Sequence, residues 1–200
     1  MSQLFVLGIG GTTRANSSTE RALRIALAAA EREGAETLLL GAADLDLPIY
    51  SPEGARRAPA ARRLVSAVRR CDGLIIGSPG YHGTISGLVK NALDYVEDLS
   101  DDDPPYLDGR AVGCLACAQG WQATGTTLTA LRSVVHALRG WPTPYGAAIN
   151  TAGRVFDEDG DCVDDGTRAG LELIGRQVLE FAWMRRAALH PCRDLAEIQI

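Results

Sequence analysis

Five short apolar runs, each followed by a helix-length amphipathic stretch, constrain this chain more than any other feature. The runs cover 3–8, 37–41, 73–77, 111–117 and 145–150. Each is bounded by glycine, proline or polar residues, as expected of strands buried on both faces. The helical patterns cover 17–33, 59–70, 86 to about 99, 126–139 and 166–185. Their apolar positions recur every three to four residues, for example Leu23, Ala26, Leu27 and Ala30 in the first and Leu171, Ile174, Val178 and Leu179 in the last. Strands alternating with helices predict an α/β fold: an open, doubly wound, five-stranded parallel sheet with helices on both faces, a three-layer α/β/α sandwich.

Two hundred residues suffice for one such domain with a real core. It is expected to span residues 1–185, followed by a tail, 186–200, lying on the surface or clasping another subunit. A net charge of −5 argues against a nucleic-acid surface. No apolar run reaches the ~18–20 residues a bilayer span requires, so no membrane partner is expected. The chain enters its first strand without a leader-like start, which together with five cysteines in no framework spacing predicts a cytoplasmic protein. Cys114 and Cys117 have CxxC spacing, but they sit in a strand-like run where residues three apart face opposite ways. A shared metal or dithiol role is therefore not expected. The carboxylates of Asp157, Asp159 and Asp161 flank a hairpin turn at Asp159-Gly160. They lack the glycine and glutamate of a calcium loop.

In an open α/β sheet, ligands bind outside the carboxyl ends of the strands. After the first run comes Gly8-Ile9-Gly10-Gly11-Thr12-Thr13-Arg14-Ala15-Asn16-Ser17-Ser18-Thr19-Glu20. It lacks the lysine of a P-loop and the third glycine of a dinucleotide fingerprint. Its hydroxyls, one guanidinium and a helix N-terminus suit a phosphate monoester. Ser17 and Glu20 also have the spacing of a capping box, and the two roles are compatible. After the third run comes Ser78-Pro79-Gly80-Tyr81-His82-Gly83-Thr84-Ile85-Ser86-Gly87-Leu88-Val89-Lys90-Asn91-Ala92-Leu93-Asp94. This Gly/Pro-rich connection lets backbone approach a flat ligand, and Tyr81 offers an aromatic face.

Three elements together resemble the NAD(P)H-dependent FMN reductase family over roughly residues 3–183. Gly11-Thr12-Thr13-Arg14-Ala15-Asn16-Ser17 matches its G-[ST]-x-R-x-x-S pattern. Residues 78–94 match its [ST]-P-x-Y-x-G-x-x-x-G-x-x-K-N-x-[IL]-D segment, and Asp46-Leu47-Pro48-Ile49-Tyr50 is similar to its D-L-P-[LI]-Y element. The resemblance implies a flavodoxin-like fold, FMN at the sheet edge, and NADPH or NADH as reductant. Thr12, Arg14, Ser17 and Thr19 would hold the FMN phosphate. Pro79, Gly80, Tyr81, His82, Gly83 and Thr84 would border the isoalloxazine, mainly through backbone groups. The segment Ala118-Gln119-Gly120-Trp121-Gln122, with Gln119, Gly120 and Trp121 as cofactor-binding residues, would approach the ring from the other side, where Trp121 is bulkier than the family's usual glycine-rich run.

Hydride transfer from nicotinamide to flavin needs no general base. His82 stands where a proton donor would be, but a packing or hydrogen-bonding role is the preferred reading, and no catalytic side chain or metal ligand is assigned. Lys90, Asn91 and Asp94 are expected in an ion pair or subunit contact. Leu88, Tyr95 and Val96 are the expected contacts of a homodimer or homotetramer. The electron acceptor would be a small molecule, a quinone, azo compound or natural product among them, or a partner flavin-dependent enzyme. A non-enzymatic electron carrier of flavodoxin type is the reading from another class.

Overall fold

The computed structural model describes residues 3–53 and 57–189. It contains strands β1 (Phe5–Gly10), β2 (Glu36–Leu40), β3 (Gly73–Tyr81), β4 (Thr84–Ile85), β5 (Ala111–Ala118), β6 (Trp141–Pro142) and β7 (Ala147–Asn150). Its helices are α1 (Ser18–Arg32), α2 (Pro59–Arg70), α3 (Gly87–Asp94), α4 (Trp121–Ala137) and α5 (Asp165–Leu189). The sheet runs β2-β1-β3-β5-β6, with β7 also on β5 and β4 on β3. Every pairing is parallel except the β3–β4 hairpin. The parallel positions follow the doubly wound order 2-1-3-4-5.

Seven strands replace the expected five for two local reasons. A short piece ahead of the last run, Trp141–Pro142, also pairs with β5, Trp141 opposite Ala111, and Pro142 and Pro144 separate it from the run itself, where Ala147 stands opposite Leu115. A proline cannot donate to a ladder, which confines such a segment to the sheet edge. The second addition, β4, returns antiparallel on the end of β3.

Alternation along the strands divides the core in two. Phe5, Leu7, Ile9, Leu74, Ile76, Val112 and Cys114 pack on one face against α2, α3 and α4 through Leu64, Val68, Val89, Leu93, Leu131 and Val135. Val6, Ile75, Leu115 and Cys117 pack on the other against α1 and α5 through Leu23, Leu27, Leu171, Ile174 and Val178. Cys114 and Cys117 therefore lie on opposite sides of the sheet. The long helix α5 sits tightly on it, because a Cβ at Gly113 would come within 2.3 Å of Ile174 and one at Gly73 within 2.5 Å of Val178.

Several boundaries move. β1 starts and ends two residues later than its own sequence suggests, because its register is set by neighbours on both sides, Phe5 opposite Glu36 and Gly10 opposite Gly77. α4 begins at Trp121 and α3 gives way to a 3₁₀ turn at Tyr95–Leu99. Tyr95 and Val96 are 3% and 1% exposed. Both belong to the chain's own core, which removes them from the expected subunit contact. Tyr95 stacks edge-on against Tyr50 and donates its hydroxyl to the Pro48 carbonyl. α5 continues through Leu189, beyond the expected start of the tail; residues 190–200 lie outside the described residues. The 155–163 hairpin is present, bridged at Phe156 and Cys162. One Asp157 carboxylate oxygen accepts the Gly160 and Asp161 amides, so this acidic group shapes a turn.

Candidate functional site

After β1 the chain passes to α1 on one face of the sheet, and after β3 it passes to α3 on the other. A crevice must open between those two neighbouring strand ends. The structure places there a cavity of about 410 Å³ lined by Thr12, Arg14, Ser17, Ser18, Thr19, Pro79, Gly80, Tyr81, Cys117, Ala118, Gln119 and Thr151. A second lobe of about 560 Å³ shares Gly80, Ala118 and Gln119 with it and adds His82, Gly83, Gly120, Gln122, Ala123 and Thr126. Both volumes lie in the range of small-molecule sites.

In the first lobe the polar groups divide their work. The Ser17 hydroxyl caps α1, accepting the Glu20 amide at 3.3 Å. A hydroxyl that accepts one bond keeps its own proton to donate. Glu20 reaches back to the Asn16 amide at 3.1 Å, one residue before the cap, and pairs with Arg24 at 2.5 Å. That displaced capping box accompanies a left-handed Asn16, φ 56°, whose carbonyl accepts from Arg21. Arg21 also donates to the Asp157 carbonyl, tying the acidic hairpin to the loop. Thr12 donates to the Arg14 carbonyl and accepts the Arg14 amide, both at 3.1 Å, so it shapes the backbone that presents Arg14. The Arg14 guanidinium has no partner among the described residues and is the only charged side chain lining this lobe. Ser18 and Thr19 stand in the first turn of α1, where helix amides have no internal acceptor. Ion pairing, hydroxyl donation and a positive helix end converge on one spot. This donor set fits a phosphate monoester.

The floor is inert. Burial pushes the Cys117 thiol up to about 12, against the lesser opposing effect of the Thr19 hydroxyl beside it. It stays protonated at neutral pH and is no nucleophile.

The wall of both lobes is the end of β3. The stretch expected as a loop is a strand continued through Pro79, which stands opposite Cys117, and then folded over at His82-Gly83. These two residues have φ of 51° and 83° and join Tyr81 to Thr84 directly. Two consecutive positive φ values in a two-residue connection are the signature of a type I′ hairpin turn. Non-glycine residues enter that region only with strain, histidine more readily than most. His82→Val should therefore lower stability by about 1–2 kcal/mol, whereas His82→Gly should retain flavin reduction. A collapse of the reduction rate in the correctly folded glycine variant, read in rapid mixing, would instead give the ring a chemical role. Ser78, fully buried, fixes the return of this hairpin by accepting the Ser86 amide at 3.0 Å and donating to the Pro79 carbonyl.

The opposite wall is the β5–α4 junction. Gln119 and Gly120 line the cleft. A Cβ on Gly120 would meet nothing within 4 Å, so the protein's own packing does not demand a glycine there, while a flat ligand lying against it would. Trp121 starts α4 with its side chain 69% exposed and outside the lining of either lobe. Thr84 is likewise in the hairpin but not in the lining. Sequence reading missed Ala123, Thr126 and Thr151 as lining residues. Thr151 is brought in by its amide bonding the Ala118 carbonyl at 2.8 Å, a contact between distant segments that no local signal announces.

The two other motif segments form a support behind the hairpin. Asn91 on α3 accepts the Tyr50 amide at 2.8 Å and donates to the carbonyls of Leu47 and Pro48. Lys90 pairs with Asp94 on the exposed side of the helix at 2.5 Å.

Comparison with known proteins agrees with this geometry. A family model described as NADPH-dependent FMN reductase matches residues 5–153. The chain is 28% identical over 189 residues to an NAD(P)H-dependent FMN reductase of Pseudomonas aeruginosa, covering 90% of this chain and 95% of that protein. It is 33% identical over 100 residues to an FMN-dependent NADPH-azoreductase of Staphylococcus haemolyticus, about half of each chain. In fold it is similar to FerB, a flavoenzyme NAD(P)H:(acceptor) oxidoreductase from Paracoccus denitrificans, with a TM-score of 0.74 at 19% identity over 91% of this chain and 98% of that one. The match along most of its length means that this chain belongs to the NADPH-dependent FMN reductase family.

Proposed function

We propose that the chain is an FMN-dependent NAD(P)H oxidoreductase whose FMN phosphate sits at Arg14 and whose flavin ring lies between the 79–83 hairpin and the Gln119-Gly120 segment. The observation that carries this reading is the meeting in one cleft of an unpaired arginine at a helix N-terminus with two facing glycine-bearing walls. FMN, when bound, supplies the two-electron chemistry, taking hydride from the nicotinamide.

The residues of this chain then bind, orient and exclude water. Arg14, the Ser17 hydroxyl and the first-turn amides of α1 hold the phosphate, and Thr12 keeps Arg14 in place. The His82-Gly83 turn and Ser78 hold one wall rigid. α4 begins with no side-chain cap, so its first-turn amides present partial positive charge beside the second lobe. That end stabilises negative charge arising on the ligand during reduction. No side chain has to move a proton for the hydride step.

Mixing the FMN-loaded protein anaerobically with NADPH and, separately, NADH should bleach the yellow flavin absorbance with at least one of them. If neither reacts, the enzyme reading fails and the electron-carrier reading replaces it. The azoreductase relative favours an azo compound as one acceptor class for the reduced protein. The proposed assembly is a homodimer or homotetramer, and the proposed location is the cytoplasm. The four cysteines that are buried and unpaired among the described residues support the latter. No helix among the described residues is long and apolar enough to cross a membrane.

A further inference from the structure

The second lobe differs chemically from the first. Its lining contains no lysine, arginine, aspartate or glutamate. The polar side chains there are His82, Gln119, Gln122 and Thr126. Thr126 donates its hydroxyl within α4, to the carbonyls of Gln122 and Ala123, so only its lone pairs face a ligand. The side chains of His82, Gln119 and Gln122 have no hydrogen-bond partner among the described residues. The lobe thus offers amide and imidazole groups, helix amides and apolar backbone walls, with no cation to compensate a full negative charge. A sulfonate or metal oxyanion entering it would lose hydration without gaining an ion pair. A carbonyl oxygen would find donors of matching strength.

We infer that this lobe selects electron acceptors by charge, accepting neutral planar carbonyl compounds and disfavouring anionic analogues of the same shape, with Gln122 as the position that sets the selectivity. The inference rests on the proposed placement of FMN: with the phosphate at Arg14 and the ring against the walls the two lobes share, Gly80, Ala118 and Gln119, the outer part of this lobe at His82, Gln122 and Thr126 is left to acceptors. Gln122 stands exposed in the first turn of α4 with its side chain at the lobe, where a cation would meet an anionic acceptor without entering the core. The net reaction balances as NAD(P)H, one proton from solvent and a quinone giving NAD(P)⁺ and the hydroquinone, the quinone gaining two electrons.

The test compares 1,4-naphthoquinone with its 2-sulfonate in two measurements. Calorimetric binding to the oxidised, FMN-loaded protein reads affinity without turnover, and steady-state kinetics with NADPH reads kcat/KM. The electron-withdrawing sulfonate makes the quinone the stronger oxidant, so a lower kcat/KM for it reports exclusion and not redox driving force. The expected result is about tenfold weaker binding and lower kcat/KM for the sulfonate. Gln122→Lys should improve the sulfonate about two- to fivefold at low ionic strength, with the gain lost in high salt. Equal or tighter binding of the sulfonate to the wild-type protein overturns the inference, as does a Gln122→Lys variant that improves both quinones alike. If NADPH fails to bleach the flavin while the binding preference holds, the reductase reading has failed and the charge selection stands.

Discussion

Replacing Arg14 with alanine should weaken FMN retention by about 1.5–3 kcal/mol, roughly 10- to 150-fold in Kd, the loss of a charge-assisted bond. Its guanidinium has no hydrogen-bond or ion-pair partner among the described residues, and its backbone bonds to Thr12 survive truncation to alanine, so the fold should be indifferent to the change. Affinity and stability are therefore separable here. FMN titration followed by flavin fluorescence gives the first, and thermal unfolding of the FMN-free protein gives the second. An unchanged Kd would withdraw the phosphate assignment; a lowered melting temperature without FMN would mean that Arg14 serves the fold. Arg14→Lys should recover only part of the affinity, because an ammonium cannot reproduce the planar two-point contact of a guanidinium.

The largest structural effect is expected at Gly10. It ends β1 at the switch point with φ of +147°, a backbone conformation that L residues rarely adopt. A Cβ built there would lie 1.9 Å from the Gly77 carbonyl oxygen on β3. The obstacle is backbone paired in the central sheet, with no flexible side chain to swing away. Gly10→Ala therefore combines a strained conformation with overpacking, for a cost of about 2–5 kcal/mol. Denaturant unfolding should show a large loss of stability, and the surviving folded protein should bind FMN more weakly, because β1 and β3 frame the Arg14 lobe. A variant with unaltered midpoint would mean that the two strand ends separate easily, contrary to their close register.

Much of this fold was legible in the chain. The apolar periods locate all five helices, and the residues they single out, such as Leu23, Leu64, Leu93, Leu131 and Ile174, are buried in the two cores. The local geometry of the Arg14 loop was equally legible, because Ser17, Glu20 and Arg14 stand within a few residues of one another, and local hydrogen bonding follows sequence spacing. The failures have a common origin. β1 is displaced, β3 runs on through Pro79, and α4 starts at Trp121 despite Gly125 and several threonines in its first turns. In each case pairing or packing against distant segments outweighed local propensity.

The sequence by itself determined the βα alternation, the helix faces, the donor set of the Arg14 loop and the family resemblance, because each depends on short-range spacing and residue type. Tertiary structure alone decided that Tyr95 and Val96 are core and not interface, that His82 is a left-handed turn residue, and that Trp121 stays outside the cleft while Thr126 and Thr151 line it. Those outcomes depend on which distant surfaces meet across the sheet, and a linear pattern carries that information only through the free energy of the whole packed chain.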